Sequence, residues 1–285
     1  MIQPGGPTSI PLRRLIQPLN NISTWVQEDP INASNYNGLQ VSYNKRYSRG
    51  LTALIAYTYS KSLDYGGSAA SGGGAAGNPQ TVTNLRAGYG ASGFDQKHRL
   101  VSSINYELPF GAGREFLHNG LVSHIVGGFE VDAITTYASG LPFTVTLNNG
   151  VNSGSPSWPN RIGSLGKIDH GNPAKFFNAT LCPVGAVTLA NGTPCAFQTP
   201  PANTYGNSAR SVLYGPSTKN WDLSLQRRFK FFESKSLEFR FDAFNAFNTP
   251  NFSTPNSSLG AGTAGQILNT VNDNRDLQAS ATFYF

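Results

Sequence analysis

Leu237-Glu238-Phe239-Arg240-Phe241-Asp242-Ala243 alternates an apolar residue with a charged one at every step. A period of two belongs to an extended strand, whose successive side chains point to opposite faces. One face of this segment is aliphatic and aromatic, and the other carries a guanidinium between two carboxylates. The segment before it has the same design: Trp221, Leu223, Leu225 and Phe229 alternate with Asp222, Ser224, Gln226 and Arg228. At the chain's end Leu277, Ala279, Ala281, Phe283 and Phe285 alternate with Gln278, Ser280, Thr282 and Tyr284.

The same reading extends upstream. Phe129, Val131, Ala133, Thr135 and Tyr137 stand against Glu130, Asp132 and Thr136. Leu100, Ile104, Tyr106 and Leu108 stand against Arg99, Ser103, Asn105 and Glu107. Leu51, Ala53, Ile55, Tyr57 and Tyr59 face away from Thr52, Thr58 and Ser60, and Leu39, Val41 and Tyr43 from Gln40, Ser42 and Asn44. Seven strands are expected, with a weaker eighth around Leu19 to Val26. Amphipathic helices are nearly absent, so the fold class is all-β. These runs are about 10 to 13 residues long, against five or six in a soluble sheet. Tilted, that length crosses a bilayer as part of an antiparallel transmembrane β-barrel.

Composition narrows the class further. Charged residues make up 13% of the 285, about half the usual share of a soluble domain. Aromatics at 12% argue against disorder. The net charge of +6 is spread along the chain, which leaves no nucleic-acid footprint. No run of apolar residues reaches transmembrane-helix length, and no leader-like segment opens the sequence.

Connections alternate between short and long. Arg49-Gly50 and a turn around Glu233 and Ser234 are tight, and Gly111 to Gly127 is moderate, with a helical turn expected at Glu115 to Ile125. Segments 61–96, 139–218 and 248–274 are long. Outer-membrane barrels pair short periplasmic turns with long extracellular loops. Oriented so, the strands gather Tyr47, Phe110, Phe129, Phe229, Phe231, Phe239, Phe283 and Phe285 at the periplasmic end. Tyr36, Tyr57, Tyr59, Tyr137, Trp221 and Phe247 gather at the outer end.

The polar face would line a lumen with Arg99, Glu107, Glu130, Asp132, Asp222, Arg228, Glu238, Arg240 and Asp242. Two carboxylates on one face can do acid–base work, as in glycosidases. Opposite charges on neighbouring strands instead make an ion-paired, hydrated wall, and that reading is favoured, so no enzyme is expected. Arg227 has outward parity, and near the periplasmic end its guanidinium can snorkel to headgroups. His98, His118, His124 and His170 lack ligand spacing, so no metal is expected. Gly260-Ala261-Gly262-Thr263-Ala264-Gly265 has the letters of a dinucleotide loop, but it precedes a strand rather than a helix. Gly72-Gly73-Gly74 lacks the following Lys of a phosphate loop. Ser42-Tyr43-Asn44-Lys45 matches an acyl-enzyme motif by chance, without its companions. No cofactor is expected. Cys182 and Cys195 bracket one loop; an oxidising exterior would join them, and two free thiols are the alternative.

Several segments, in order and spacing, resemble the TonB-dependent receptor superfamily, in its Oar-like branch with a carboxypeptidase-regulatory-like N-terminal domain. They are Ser34-Asn35-Tyr36-Asn37-Gly38-Leu39-Gln40-Val41, Arg49-Gly50-Leu51 and Ala56-Tyr57-Thr58-Tyr59-Ser60-Lys61-Ser62. Asp95-Gln96-Lys97-His98-Arg99, Leu108-Pro109-Phe110-Gly111 and Ser139-Gly140-Leu141-Pro142-Phe143 follow. The C-terminal set is Gly215-Pro216, Asn220-Trp221-Asp222-Leu223-Ser224-Leu225, Ala243-Phe244-Asn245-Ala246-Phe247-Asn248 and Gly265-Gln266-Ile267.

The resemblance covers nearly the whole chain, yet only the last part of that family's barrel. It implies a wall of about 22 strands, an N-terminal plug, a TonB box and a signal peptide, of which this sequence shows only the wall. Residues 1–285 are therefore expected to be a C-terminal portion. The implied role is active uptake across a Gram-negative outer membrane, driven by the TonB–ExbB–ExbD complex through an upstream plug. Leu277, Phe283 and Phe285 look like the signal that barrel-assembly machinery reads. The ligand, a siderophore, oligosaccharide or peptide, would meet the long loops. Two other classes remain: a self-contained small porin or adhesin-like barrel, and a soluble carbohydrate-binding β-sandwich.

Overall fold

The computed structural model describes residues 33–66, 80, 84–111, 113–117, 119–148, 157–165, 168, 172–202, 204–231 and 235–285. Its main feature is one antiparallel sheet of seven long strands: β1 (Ser34–Ser48), β2 (Leu51–Asp64), β3 (His98–Glu107), β4 (Phe129–Ala138), β5 (Thr218–Lys230), β6 (Ser236–Phe244) and β7 (Asp276–Tyr284). Each pairs with its neighbour in sequence, and a two-residue strand, Gly90–Ala91, extends the ladder beside β2. The eighth strand expected at Leu19 to Val26 lies outside the described residues, as does the turn at Glu233 and Ser234. Arg49 and Gly50 both take positive φ, 51° and 78°, the left-handed pair that suits a two-residue hairpin to strand twist. β2 runs on to Asp64, so the first outer loop starts later than position 61. The helix in the β3–β4 connection, α1, is Gly120–Val126, shifted towards the C-terminus of the expected turn.

Directly paired residues share a face, so the register sorts every side chain. One row reads Leu51, Tyr106, Val131, Leu225, Phe241 and Ala279 across six strands. Another reads Val41, Tyr57, Leu100 and Tyr137. The alternating apolar sets of all seven strands thus fall on one side. Much of this side is uncovered: Leu39, Val41, Phe239, Phe241 and Phe283 are exposed. No second sheet covers it among the described residues. Nor is any helix there long and apolar enough to cross a membrane, which says nothing of strands.

Two aromatics depart from the expected belts. Tyr36 pairs with Ser62 and sits on the polar face. Tyr47 follows a bulge between Lys45 and Ser48, and the extra residue reverses the parity beyond it. Its hydroxyl consequently donates to Glu107 Oε2 at 3.0 Å on the polar side. The polar face also carries an apolar patch, Leu54, Ala56, Val101 and Ile134, joined through the rows of Ser103 and Thr136.

The densest core lies away from the sheet, in the long outer loops. Phe143, Val145, Leu147, Leu165, Phe176, Phe177, Ala196, Phe197, Leu213 and Leu259 form one buried cluster drawn from the loops after β4 and after β6. Within the seven long strands only Ala53 and Ala138 are buried hydrophobics. Short ladders organise this cap: Pro142–Phe143 with Leu213–Tyr214, and Thr146–Leu147 with Ser258–Leu259. Asn160–Arg161 and Leu181–Cys182 flank Phe197–Gln198.

The cap's base is a backbone crossing. A Cβ on Gly140 would stand 1.9 Å from the Gly215 carbonyl oxygen and 2.7 Å from that of Pro216. Gly140→Ala is therefore expected to pry the loop ends apart at a cost of about 1–3 kcal/mol or more. Faster proteinase K cleavage of the outer loops in intact membranes would register it, and unchanged cleavage would count against the crossing.

Candidate functional site

The polar face and the cap above it form the candidate site. The register places Arg99, Glu107, Glu130, Asp132, Asp222, Arg228, Glu238, Arg240 and Asp242 on that one face. Arg228 lies directly opposite Glu238 and gives it two hydrogen bonds, from Nε at 2.9 Å and Nη2 at 2.6 Å. Arg240 Nε reaches Asp242 at 2.8 Å on its own strand. Glu107 and Glu130 are directly paired across β3 and β4, a like-charge contact that ordinarily destabilises. Glu107 is relieved by Arg114 and by Tyr47. Glu130 accepts from Asn105 Nδ2, which also donates to Asp132 at 2.6 Å. Glu130, Asp132, Asp222 and Arg99 have no ion-pair partner among the described residues. Ion pairing between strand residues is thus concentrated on β5 and β6, while the two β4 carboxylates, Glu130 and Asp132, share the neutral amide of Asn105.

The chain has 27 asparagines, and several of them gather around Asp222. This carboxylate accepts from Asn220 Nδ2 at 2.9 Å and from the Asn245 backbone at 2.9 Å. Asn245 and Asn248 adopt left-handed φ values of 47° and 50°, which asparagine tolerates better than most residues. Asn245 then bonds Thr249 and Asp273, and Asn251 exchanges two bonds with the Lys219 backbone. The Asn-rich segment after β6 therefore ties the outer ends of β5, β6 and β7 to one another through side-chain amides.

Two loops are bolted together by buried polar groups the sequence did not single out. Arg210, 2% exposed, donates from Nε to the Gly88 carbonyl at 2.7 Å. Its Nη2 serves the Asp64 side chain and backbone and the Gly90 carbonyl. Gln80 donates to the Gly206 carbonyl at 2.8 Å and accepts from the Trp158 backbone at 3.1 Å. Asp95, 1% exposed, takes the Ser62 backbone N–H at 2.6 Å on one oxygen, and on the other Lys61 and Tyr214, each at 2.8 Å. Burial pushes the Tyr214 phenol up; the Lys61 ammonium works against this and the Asp95 carboxylate adds to it. The phenol is therefore a donor at neutral pH.

Cys182 and Cys195 are joined, with Cα atoms 5.8 Å apart. Both lie in the cap. Replacing both with serine is expected to cost about 3 kcal/mol. Proteolysis of 183–194 should then accelerate, and dithiothreitol on the parent chain should reproduce the effect.

The other marked residues are dispersed. His98 Nδ1 shares a 2.8 Å hydrogen bond with the Tyr57 hydroxyl. His118, His170 and Gly72-Gly73-Gly74 lie outside the described residues. Gly260 to Gly265 form turns after the short strand Ser258–Leu259 and lead into no helix. Among the described residues, no three His, Cys, Asp or Glu stand together as a metal group. Arg227 keeps outward parity, opposite Phe129 and Phe239. Its guanidinium, however, is engaged by the His124 and Ile125 carbonyls at the end of α1 rather than left for headgroups.

Sequence periodicity missed the cap because its ladders are two residues long and its core is built from irregular chain. Adjacent buried aromatics, Phe176-Phe177, were the available signal. No curated protein and no solved structure matches the chain. A family model described as an outer membrane beta barrel domain matches residues 2–278. With the one-sided apolar sheet, that match makes this chain a member of the outer-membrane β-barrel domain family, its strands forming wall in an outer membrane.

Proposed function

We propose that the chain is part of the wall and outer cap of a TonB-dependent receptor of the Oar-like branch, taking up a ligand actively across a Gram-negative outer membrane. One observation carries the reading. β1 and β7 stand at opposite ends of the strand order and do not pair with each other among the described residues. Seven strands with one lipid-type face thus form an arc, and lipid does not tolerate open edges. Further strands of a larger barrel would close them.

The segments that resemble the family supply the rest. The polar face, with its Leu54–Ile134 patch, suits a wall that contacts a plug, through which the TonB complex would act. Leu277 and Phe283 on β7, with Phe285 directly after it, would be read by the barrel-assembly machinery. The cap, built from segments 61–96, 139–218 and 248–274, would meet the ligand. The carboxylates serve hydration of the wall and no reaction.

An immunoblot of fractionated native cells with an antibody against 265–285 tests this. A band several times heavier than 30.5 kDa in the outer membrane is expected. A band at that mass in the same membrane would replace the receptor with a small self-contained barrel. Recovery in the soluble fraction would favour the sandwich.

A further inference from the structure

We infer that α1 and the turn around it form an interfacial anchor, lying in the periplasmic leaflet against the lipid-facing side of the wall. The inference rests on the outer-membrane reading of the sheet and adds a second lipid contact to it.

Three observations place the helix. Arg227 belongs to the apolar face, paired with Phe129 and Phe239, and its guanidinium holds the His124 and Ile125 carbonyls. The end of α1 is thereby fixed on the lipid side at the height of the periplasmic aromatics. Second, apart from His124 the described exposed side chains of α1 are apolar. Val122 and Ile125, 51% and 68% exposed, are three residues apart and share a face. Ser123 is buried, and a Cβ on Gly127 would lie 2.8 Å from the Gly111 Cα, so the opposite side is packed against the start of the turn. Phe116 and Leu117 add further exposed apolar surface. Third, α1 itself carries no acidic residue, so the helix brings no negative charge against anionic headgroups, and Glu115 lies outside it in the preceding turn.

The role of Arg227 is what singles out lipid over water. The last carbonyls of a helix lack partners within it. In the periplasm water would satisfy them, whereas at a membrane boundary an unmet carbonyl is costly. A guanidinium taken from the lipid face meets two of them and complements the helix dipole. The charge itself is flanked by aromatic rings, Phe229 at 4.2 Å and Phe129 at 5.1 Å from the guanidinium carbon. Backbone and charge are both prepared for an apolar setting, and the surface beside them continues into the wall's own lipid face.

Site-directed spin labelling tests the inference. The chain's two cysteines are joined to each other, so one introduced cysteine gives one label. Val122→Cys, Ile125→Cys, Glu115→Cys and Phe241→Cys would each be labelled in outer-membrane vesicles. Collision with oxygen, which concentrates in lipid, is then compared with collision with a water-soluble nickel chelate. Labels at 122 and 125 should favour oxygen several-fold over the label at 115 and approach the one at 241. If 241 favours oxygen while 122 and 125 resemble 115, the anchor is overturned and the wall stands. If 122 and 125 are shielded from both agents, a protein covers the helix and the lipid assignment falls. If 241 itself favours nickel, the membrane reading of the sheet fails and the anchor goes with it.

Discussion

Arg210→Ala should loosen the outer cap by about 3 kcal/mol, the lower end of what breaking a buried ion pair costs. Several acceptors lose their donor at once. The Gly88 and Gly90 carbonyls lose this guanidinium, and the Asp64 carboxylate loses its cation and keeps only the Gly66 N–H and Ser92. The lower end applies because Asp64 keeps some solvent contact, 21% for its side chain. Asp64→Asn should cost less, since Arg210 would retain its carbonyl partners. Arg210→Lys should behave nearly as badly as alanine, because an ammonium on a flexible stem lacks the planar fork that serves separate acceptors. Proteolysis of the loops in intact membranes, ranked across the three variants, checks the order. Equal cleavage in all three and the parent would remove Arg210 from the account of the cap.

Leu225→Arg is the second large effect, and it separates lipid from water. Leu225 lies four residues from Trp221 at the outer end of β5 and four from Phe229 near the periplasmic end, so it sits at mid-height on the apolar face. It is already 40% exposed, and in an aqueous setting a surface change of this kind stays within about 0.5 kcal/mol. At a bilayer midplane the same substitution costs about 2–4 kcal/mol. Gln278→Arg, on the opposite face of β7, should be nearly silent. Urea unfolding in lipid vesicles, with the heat-shifted gel band as the folded signal, measures both. Parity between the two variants would mean that the apolar face does not meet lipid.

The sheet was legible because its two faces meet different surroundings, and a period of two follows directly from that. Seven strands and the parity of nine charged residues could be read from alternation, since Glu238, Arg240 and Asp242 have no other way to share a side. Alternation fails where the backbone breaks it. The extra residue before Ser48 turns Tyr47 over, and nothing in Lys45-Arg46-Tyr47-Ser48 announces a bulge. Arg210 was illegible for a different reason. Its partners come from a segment about 120 positions away, and a lone arginine in an irregular loop carries no pattern. The Arg227 parity was readable but its partners were not, because they are backbone carbonyls of a helix whose apolar face is only two residues wide.

The crossing of Gly140 beneath Gly215 bears on how the wall is threaded. β4 and β5 are neighbours in the sheet yet are separated by residues 139–217. Closing a loop of that length from a disordered chain costs about 4 kcal/mol in entropy. Beyond Ala138 and Thr218, the Leu141 carbonyl accepts the Gly215 N–H at 2.9 Å, and Pro142–Phe143 pair with Leu213–Tyr214. A cap folded in advance would already hold the two strand ends at hairpin distance. The insertion then acts as a clasp: the longest detour in the chain becomes a tight turn to whatever delivers the strands, and β5 can follow β4 without a search.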